Sequence, residues 1–478
     1  MNIPAATESE VPRLHVDVLV IGWGKGGKTF AGVMAGRGHS VAIVEQSPAM
    51  YGGTCINIGC VPTKALVHSA STRRDGDDPQ RFFTDAVGRR DALIAKLNAV
   101  NLAMLQGRET VTVVDGQARF VGDREVEISP TTGGAGVSER MRITAETVVI
   151  NTGAETVRPA IPGIDGPRIH DSTSLQHVQP FPKRLAILGA GRIGLEFASM
   201  FRGFGSQVKV IARGSGILRG EDADVAGAVL EVLQEDGIEF LFNTDTVGFD
   251  DDADQVNVRF ASGESLTVDA VLCATGRRPA TDGLGLEAAG VQTDERGAVV
   301  VDAQLRTTAA GVFAMGDVYG GAQQTYLSLD DHRIVLDALT GPGSRRRDDR
   351  VAVPSTLFIN PPFSSVGMTA GEAAERGLRV RTVCVPVASV KAMPRPKALG
   401  DARGIIKFVV DADTDLILGA RLFHVDSQDV INLVALAMRA GVTASELRDG
   451  IWTHPSSTEA LNEVLGQLVD AEKGDRSG

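Results

Sequence analysis

The residues best suited to chemistry are Cys55 and Cys60, set in Gly52-Gly53-Thr54-Cys55-Ile56-Asn57-Ile58-Gly59-Cys60-Val61-Pro62-Thr63-Lys64. They stand five residues apart at the apparent start of a helix, where a disulfide could span the opening turn. Helix N-termini stabilise the thiolates that redox exchange requires. Two inert buried cysteines, or half of a zinc site, are the alternatives; zinc would want two further Cys or His ligands nearby, and the flanking sequence has none. The chain has only 4 cysteines, too few for a secreted disulfide scaffold, so a pair is expected to be catalytic or metal-binding. Cys273 and Cys384 lie in apolar strand patterns and are expected to be small buried hydrophobes without chemistry.

A second chemical signal is carried by glycines. An apolar run at 16–21 leads into Gly22, Gly24 and Gly27, then a helical stretch, then a strand over 41–44 ending at Glu45. In a dinucleotide fingerprint the first glycine makes the tight turn, the second admits the pyrophosphate, and the third lets helix and strand pack closely. Glu45 is placed to hold ribose hydroxyls. The same grammar returns at 185–188, with Gly189, Gly191 and Gly194, a helix through Phe204 and a strand over 208–211. Two such units call for two dinucleotides, or for one fold duplicated with one site dead. The second unit's strand runs into Ala212-Arg213, where an NAD enzyme would place an acid. Arg213 with Arg219 can instead meet a 2′-phosphate, so NADPH is expected over NADH.

Around these units, 82–106 reads as helical, 111–129 as paired strands about the Gly122-Asp123 turn, and 130–140 as a polar loop. Two apolar runs ending in Asn151-Thr152-Gly153 and Ala274-Thr275-Gly276 bracket the second unit and are taken as crossing points between domains. Beyond Gly341-Pro342-Gly343 the character changes, with strands at 351–358 and 382–387 and a helix at 427–440, an α+β pattern.

With 478 residues there is room for about three domains, and 43% hydrophobic with 23% charged residues marks a globular chain. A net charge of -12 disfavours nucleic acid and anionic membranes as partners, leaving small molecules. Residues 1–15 match neither a secretory nor a transit peptide, and no apolar run reaches the ~20 residues of a membrane helix, so a cytoplasmic protein is expected.

The Cys-x-x-x-x-Cys segment together with both fingerprints resembles the class I pyridine nucleotide-disulfide oxidoreductases, which include dihydrolipoamide dehydrogenase, glutathione reductase and mercuric reductase, and the resemblance covers nearly the whole chain. Gly24-Lys25-Gly26-Gly27-Lys28-Thr29, Glu45-Gln46-Ser47, Ala49-Met50-Tyr51-Gly52-Gly53 and Ser328-Leu329-Asp330-Asp331 resemble its bacterial reactive-chlorine-resistance branch, whose members act as hypothiocyanous acid reductases and are linked to copper(II) reduction. The resemblance implies an α/β fold of two Rossmann-like domains, for FAD and NAD(P)H, with a C-terminal α+β dimerisation domain. Expected boundaries are 1–155 and 278–350 for FAD, 156–277 for the nicotinamide, and 351–478 for dimerisation.

It also implies roles for single residues. Cys60 corresponds to the thiol beside the flavin, Cys55 to the outer thiol that attacks substrate, and Lys64 with Glu196 to an ion pair at the flavin ring. Asp317 and Thr325 correspond to FAD-contacting positions, and Gly53, Thr54, Gly116, Gly153 and Gly276 join the cofactor-binding set. His454 and Glu459 resemble the family's His-Glu pair, which reaches the cysteines of the other subunit of a homodimer; in the family the His-Pro bond is cis. An imidazole held by a carboxylate can take a proton from Cys55 and return one to product. No resident metal is implied. Mercuric reductases carry a C-terminal cysteine pair, which this chain lacks beyond Cys384, so a small sulfur or halogen oxidant is favoured, with hypothiocyanous acid leading. Reduction of Cu(II) or Hg(II) is the runner-up, because Pro394-Arg395 and Asp401-Ala402-Arg403-Gly404 resemble a segment of mercuric reductases, and a dihydrolipoamide dehydrogenase-like enzyme is a further alternative.

Overall fold

A strand buried on both faces reads as an unbroken apolar run, and Val41–Glu45 is such a strand, with all five residues buried. It pairs in parallel with Arg13–Ile21, which pairs in parallel with Met141–Ile150. The computed structural model describes residues 11–131, 136–252 and 254–470; the polar 1–10 stretch, part of the expected 130–140 loop, and the chain end from 471 lie outside the described residues.

The chain divides into two compact units, the first formed by 1–65, 86–157 and 276–349. Its seven-stranded sheet runs from Val111–Asp115 through Val41–Glu45 and Arg13–Ile21 to Met141–Ile150, where Val312–Ala314 adds in parallel. The hairpin Gln117–Gly122 with Glu125–Ser129 extends the same sheet in the antiparallel sense. The 111–129 segment therefore differs from the expected set of paired strands: Val111–Asp115 continues the parallel sheet, and the hairpin starts only after Gly116, where a Cβ would lie 2.4 Å from Ile128 Cγ2. Helix Lys25–Gly36 buries Phe30, Ala31 and Met34 at helical spacing. Ala154–Thr156 and Arg277–Pro279 form a two-stranded antiparallel ribbon.

The second unit comprises 66–85, 158–275 and 350–478. Five parallel strands run in the order Ile238–Leu241, Gln207–Ile211, Arg184–Leu188, Ala270–Cys273, Ile169–His170. Helix Arg192–Phe204 joins two of them, and its Phe201 and Phe204 meet Phe83 and Phe181 in an aromatic cluster. Thr246–Asp251, Val256–Phe260 and Ser265–Val268 make a three-stranded antiparallel sheet.

The C-terminal part is a six-stranded antiparallel sheet with helix Ser427–Ala440 packed on it through Val430, Ile431 and Val434. The strand expected over 351–358 shrinks to Ser355–Leu357, because Ala352 takes a left-handed φ of 49° and Pro354 cannot donate to a ladder. Cys273 is buried as expected, whereas Cys384 is exposed. Period-two alternation explains the difference: Val383 takes the core face of Val380–Pro386, and Cys384 takes the other, opposite Lys407. Among the described residues no helix is long and apolar enough to cross a membrane.

Candidate active site

The first glycine turn is built around Asn151. Gly22 has φ 95°, and a Cβ there would lie 2.5 Å from the Asn151 carbonyl oxygen; one on Gly24 would lie 2.4 Å from Asn151 Oδ1. The Gly27 N–H donates to that same Oδ1 at 2.9 Å, and Asn151 Nδ2 donates to the Met315 carbonyl at 2.7 Å. One carboxamide thus ties the turn to two strand ends. Gly26 donates to Ser328 Oγ at 3.1 Å. Gly24 caps helix Lys25–Gly36 with no side chain of its own and the first turn has no acid, so the positive end of the helix dipole is not neutralised by a carboxylate, while the Gly26 and Gly27 N–H groups are held by Ser328 and Asn151.

Glu45 lies beside this turn, as the spacing predicts. Its Oε2 accepts from the Trp23 N–H at 3.1 Å and its Oε1 from the Ser47 N–H at 3.2 Å. Burial pushes its carboxyl up to about 7 against the pull of those N–H donors. The Tyr51 ring packs at a tilt of 58° against Trp23, centroids 4.7 Å apart, its hydroxyl donates to Asp115 at 2.7 Å, and burial and that carboxylate push the hydroxyl up.

Gly53 connects the turn to the cysteines: its φ is 72°, and a Cβ would come within 2.9 Å of Gly24 Cα. Cys55 sits in the short helix Gly53–Asn57, which closes where Gly59 N donates to the Thr54 carbonyl at 2.6 Å. Cys60 then opens a separate helix, Cys60–Ser71. The pair therefore flanks a break between two helices and does not share one opening turn. At the break the Ile58 and Gly59 N–H groups both donate to the Thr54 carbonyl, at 3.0 and 2.6 Å, and a Cβ on Gly59 would meet that oxygen at 3.0 Å. Both cysteines are thiols, and Cys55 is hydrogen-bonded to Cys60; that bond, followed by burial, pushes the Cys55 thiol up. The Thr325 hydroxyl lies 3.6 Å from Cys60 Sγ and also bonds Cys55. Lys64 follows Cys60 by one turn of its helix.

Asp317 lies in the turn Gly316–Tyr319, with its carboxyl raised by burial against the pull of Arg277. The preceding Gly316 N–H is held by Asp331 at 2.7 Å. Gly153 and Gly276 have φ of 75° and 130°, and their carbonyls accept from Ala280 and Val157 at 3.0 Å across the ribbon.

In the second unit, Gly189 has φ 113°, and a Cβ there would lie 2.5 Å from the Ala274 carbonyl oxygen; one on Gly194 would lie 2.0 Å from the Gly189 carbonyl oxygen. Gly191 caps helix Arg192–Phe204, again with no acid in the first turn. Arg213 and Arg219 are both exposed, and Arg219 folds back over Gly214, whose Cβ would meet its guanidinium at 2.1 Å. Neither forms an ion pair with a described carboxylate. Glu196 accepts from the Phe358 N–H at 2.9 Å. His454 Nδ1 lies 2.9 Å from Glu459 Oε1, before a cis His454–Pro455 bond. Glu459 also accepts from Ser456 N at 2.9 Å, and the Ser456 N–H, then His454, hold its carboxyl low.

Residues 16–331 match the pyridine nucleotide-disulphide oxidoreductase family, and residues 353–465 match that family's dimerisation domain. This chain belongs to the pyridine nucleotide-disulphide oxidoreductases. Among its relatives, the probable pyridine nucleotide-disulfide oxidoreductase RclA of Escherichia coli is 45% identical over 94% of this chain and 98% of that protein. The dihydrolipoyl dehydrogenase of Thermus scotoductus is 34% identical over 95% and 97%. The solved Cu(II) complex of the HOCl-induced flavoprotein disulfide reductase RclA from Escherichia coli is 44% identical, covers 94% of this chain and 100% of its own, and has a TM-score of 0.88. The oxidoreductase uses FAD and a pyridine nucleotide, and its two glycine turns fit such dinucleotides: close backbone packing at Gly22, Gly24, Gly27, Gly189 and Gly194 admits no Cβ, and the space at Gly191, the cap of the second helix, is open to 4 Å.

Reading the sequence missed several residues of this oxidoreductase's first unit. Asn151 was signalled only as a polar residue ending a buried strand, and Asp115 likewise. Lys28 was signalled only as part of the Gly24–Thr29 run, without a role, and Asn101 carried no local signal.

Proposed function

We propose that the enzyme passes electrons from NADPH through FAD to the Cys55–Cys60 pair and so reduces a small electrophilic oxidant, hypothiocyanous acid foremost. The observation that carries this reading is the hydrogen-bonded thiol pair with Thr325 against both members. FAD and NADPH, when bound, supply the two electrons that keep the pair reduced. The Cys55 thiolate attacks the oxidant's sulfur and the S–O bond breaks; the departing hydroxide takes a proton and leaves as water. Cys60 then attacks the Cys55 sulfur, the disulfide forms, and thiocyanate departs with its electron pair. The partner subunit's His454, oriented by Glu459, takes the thiol proton and returns it to the leaving group. Arg213 and Arg219, exposed and without carboxylate partners among the described residues, support the choice of NADPH.

The HOCl-induced relative supports a role in reactive-chlorine defence, and its Cu(II) complex favours metal-ion reduction as a second reading. Steady-state NADPH oxidation with hypothiocyanous acid, glutathione disulfide, lipoamide, Cu(II) and Hg(II) at matched concentrations separates them. The highest kcat/KM is expected for hypothiocyanous acid, and a higher value for any other compound overturns the assignment.

A further inference from the structure

Lys28 lies on helix Lys25–Gly36, half-buried, and its ammonium donates to Asn101 Oδ1. Asn101 is 6% exposed, and its Nδ2 donates to the Leu97 carbonyl at 2.7 Å, which fixes which end of the carboxamide faces the lysine. It is wedged against Gly52, the cap of the short Cys55 helix: a Cβ on Gly52 would lie 3.1 Å from Asn101 Cγ. Both Asn98 and Asn101 lie on helix Pro79–Gln106; one turn before Asn101, Asn98 donates to Asn57 Oδ1 at 3.1 Å, so the same helix holds the far end of the Cys55 helix. Among the described residues no carboxylate forms an ion pair with Lys28. The anion within its electrostatic reach is the one Cys55 forms on losing its proton.

Building on the reading of Cys55 as the attacking thiol, we propose that Lys28 is a positioning residue whose ammonium, aimed by Asn101, provides the counter-charge to the Cys55 thiolate. The subunit that bears the thiol then stabilises its anion, while the proton itself goes to the histidine. A neutral carboxamide suits this task, because it orients the cation without neutralising it. Burial, then Lys25, draws the Lys28 ammonium down to about 8, and Cys55 draws it back up, so it remains cationic at neutral pH. Lys28 and Thr325 are the groups that pull the Cys55 thiol down against Cys60 and burial.

The test follows iodoacetamide labelling of Cys55 against pH in full-length, FAD-loaded protein carrying Cys60→Ser, read by mass spectrometry of the Cys55 peptide. Lys28→Met is expected to raise the labelling midpoint by about one pH unit, and Lys28→Arg to leave it in place. Asn101→Asp gives the ammonium a fixed anion and is expected to raise the midpoint too; it carries the test should Lys28→Met not fold. An unmoved midpoint in either Lys28→Met or Asn101→Asp overturns the proposal. Absence of Cys55 labelling at every pH, with Cys60 labelled in a Cys55→Ser chain, would instead remove Cys55 as the attacking thiol and take the Lys28 role with it.

Discussion

Asn151 accepts the Gly27 N–H at 2.9 Å through its side-chain oxygen, linking the end of one buried strand to the first turn of the helix that follows another. Asn151→Ala leaves a buried N–H without an acceptor and should cost about 1–3 kcal/mol. A lower Tm together with faster loss of flavin on dilution is expected. Asn151→Asp keeps the acceptor and loses only the donor to Met315, so it should fall between the two; equal behaviour of Asn151→Ala and wild type would contradict this account of the turn.

Glu45 gives stability a pH dependence of definite sign. Its carboxyl is raised from 4.5 to about 7 in the folded chain by burial. Between those values the folded state holds more protons than the unfolded one, so this contribution is fully present below pH 4.5 and is lost as pH rises towards 7. In flavin-free protein, Tm measured across that window should decline less steeply in Glu45→Gln than in wild type. Parallel curves would remove Glu45 as the source.

Arg213→Ala should raise KM for NADPH roughly ten- to a hundredfold, the scale of one or two charged hydrogen bonds, and leave KM for NADH nearly unchanged. Comparing kcat/KM for both cofactors in wild type and variant is sufficient. An unchanged ratio would mean that the two arginines are merely solvated.

The proposed acid–base role of His454 requires two chains. Cys55→Ser and His454→Ala chains, each inactive alone, should regain activity when mixed, because a heterodimer keeps one intact site of two. Random pairing predicts about a quarter of wild-type activity. Sedimentation of a fully active monomer, or no recovery after subunit exchange, would refute the arrangement.

Features whose physics is local were legible in the residues alone. Strand and helix periods placed Val41–Glu45 and Ser427–Ala440 within a residue of their observed ends and the last residue of helix Arg192–Phe204 at Phe204, and glycine spacing located both dinucleotide turns. The Cys55, Cys60 spacing pointed to redox chemistry, but the break between their helices, where the Ile58 and Gly59 N–H groups converge on the Thr54 carbonyl, is not legible in that spacing. Which distant groups surround the pair emerged from the packing of the whole chain. Thr325 reaches Cys60 from 265 positions away, Asn101 meets Lys28 across 73, and Cys384 turns outward because its strand's register puts Val383 on the core. Hydrophobic periodicity specifies which face of an element is buried, whereas the neighbour on that face follows from strand order and crossover connections, which form only when the whole chain packs.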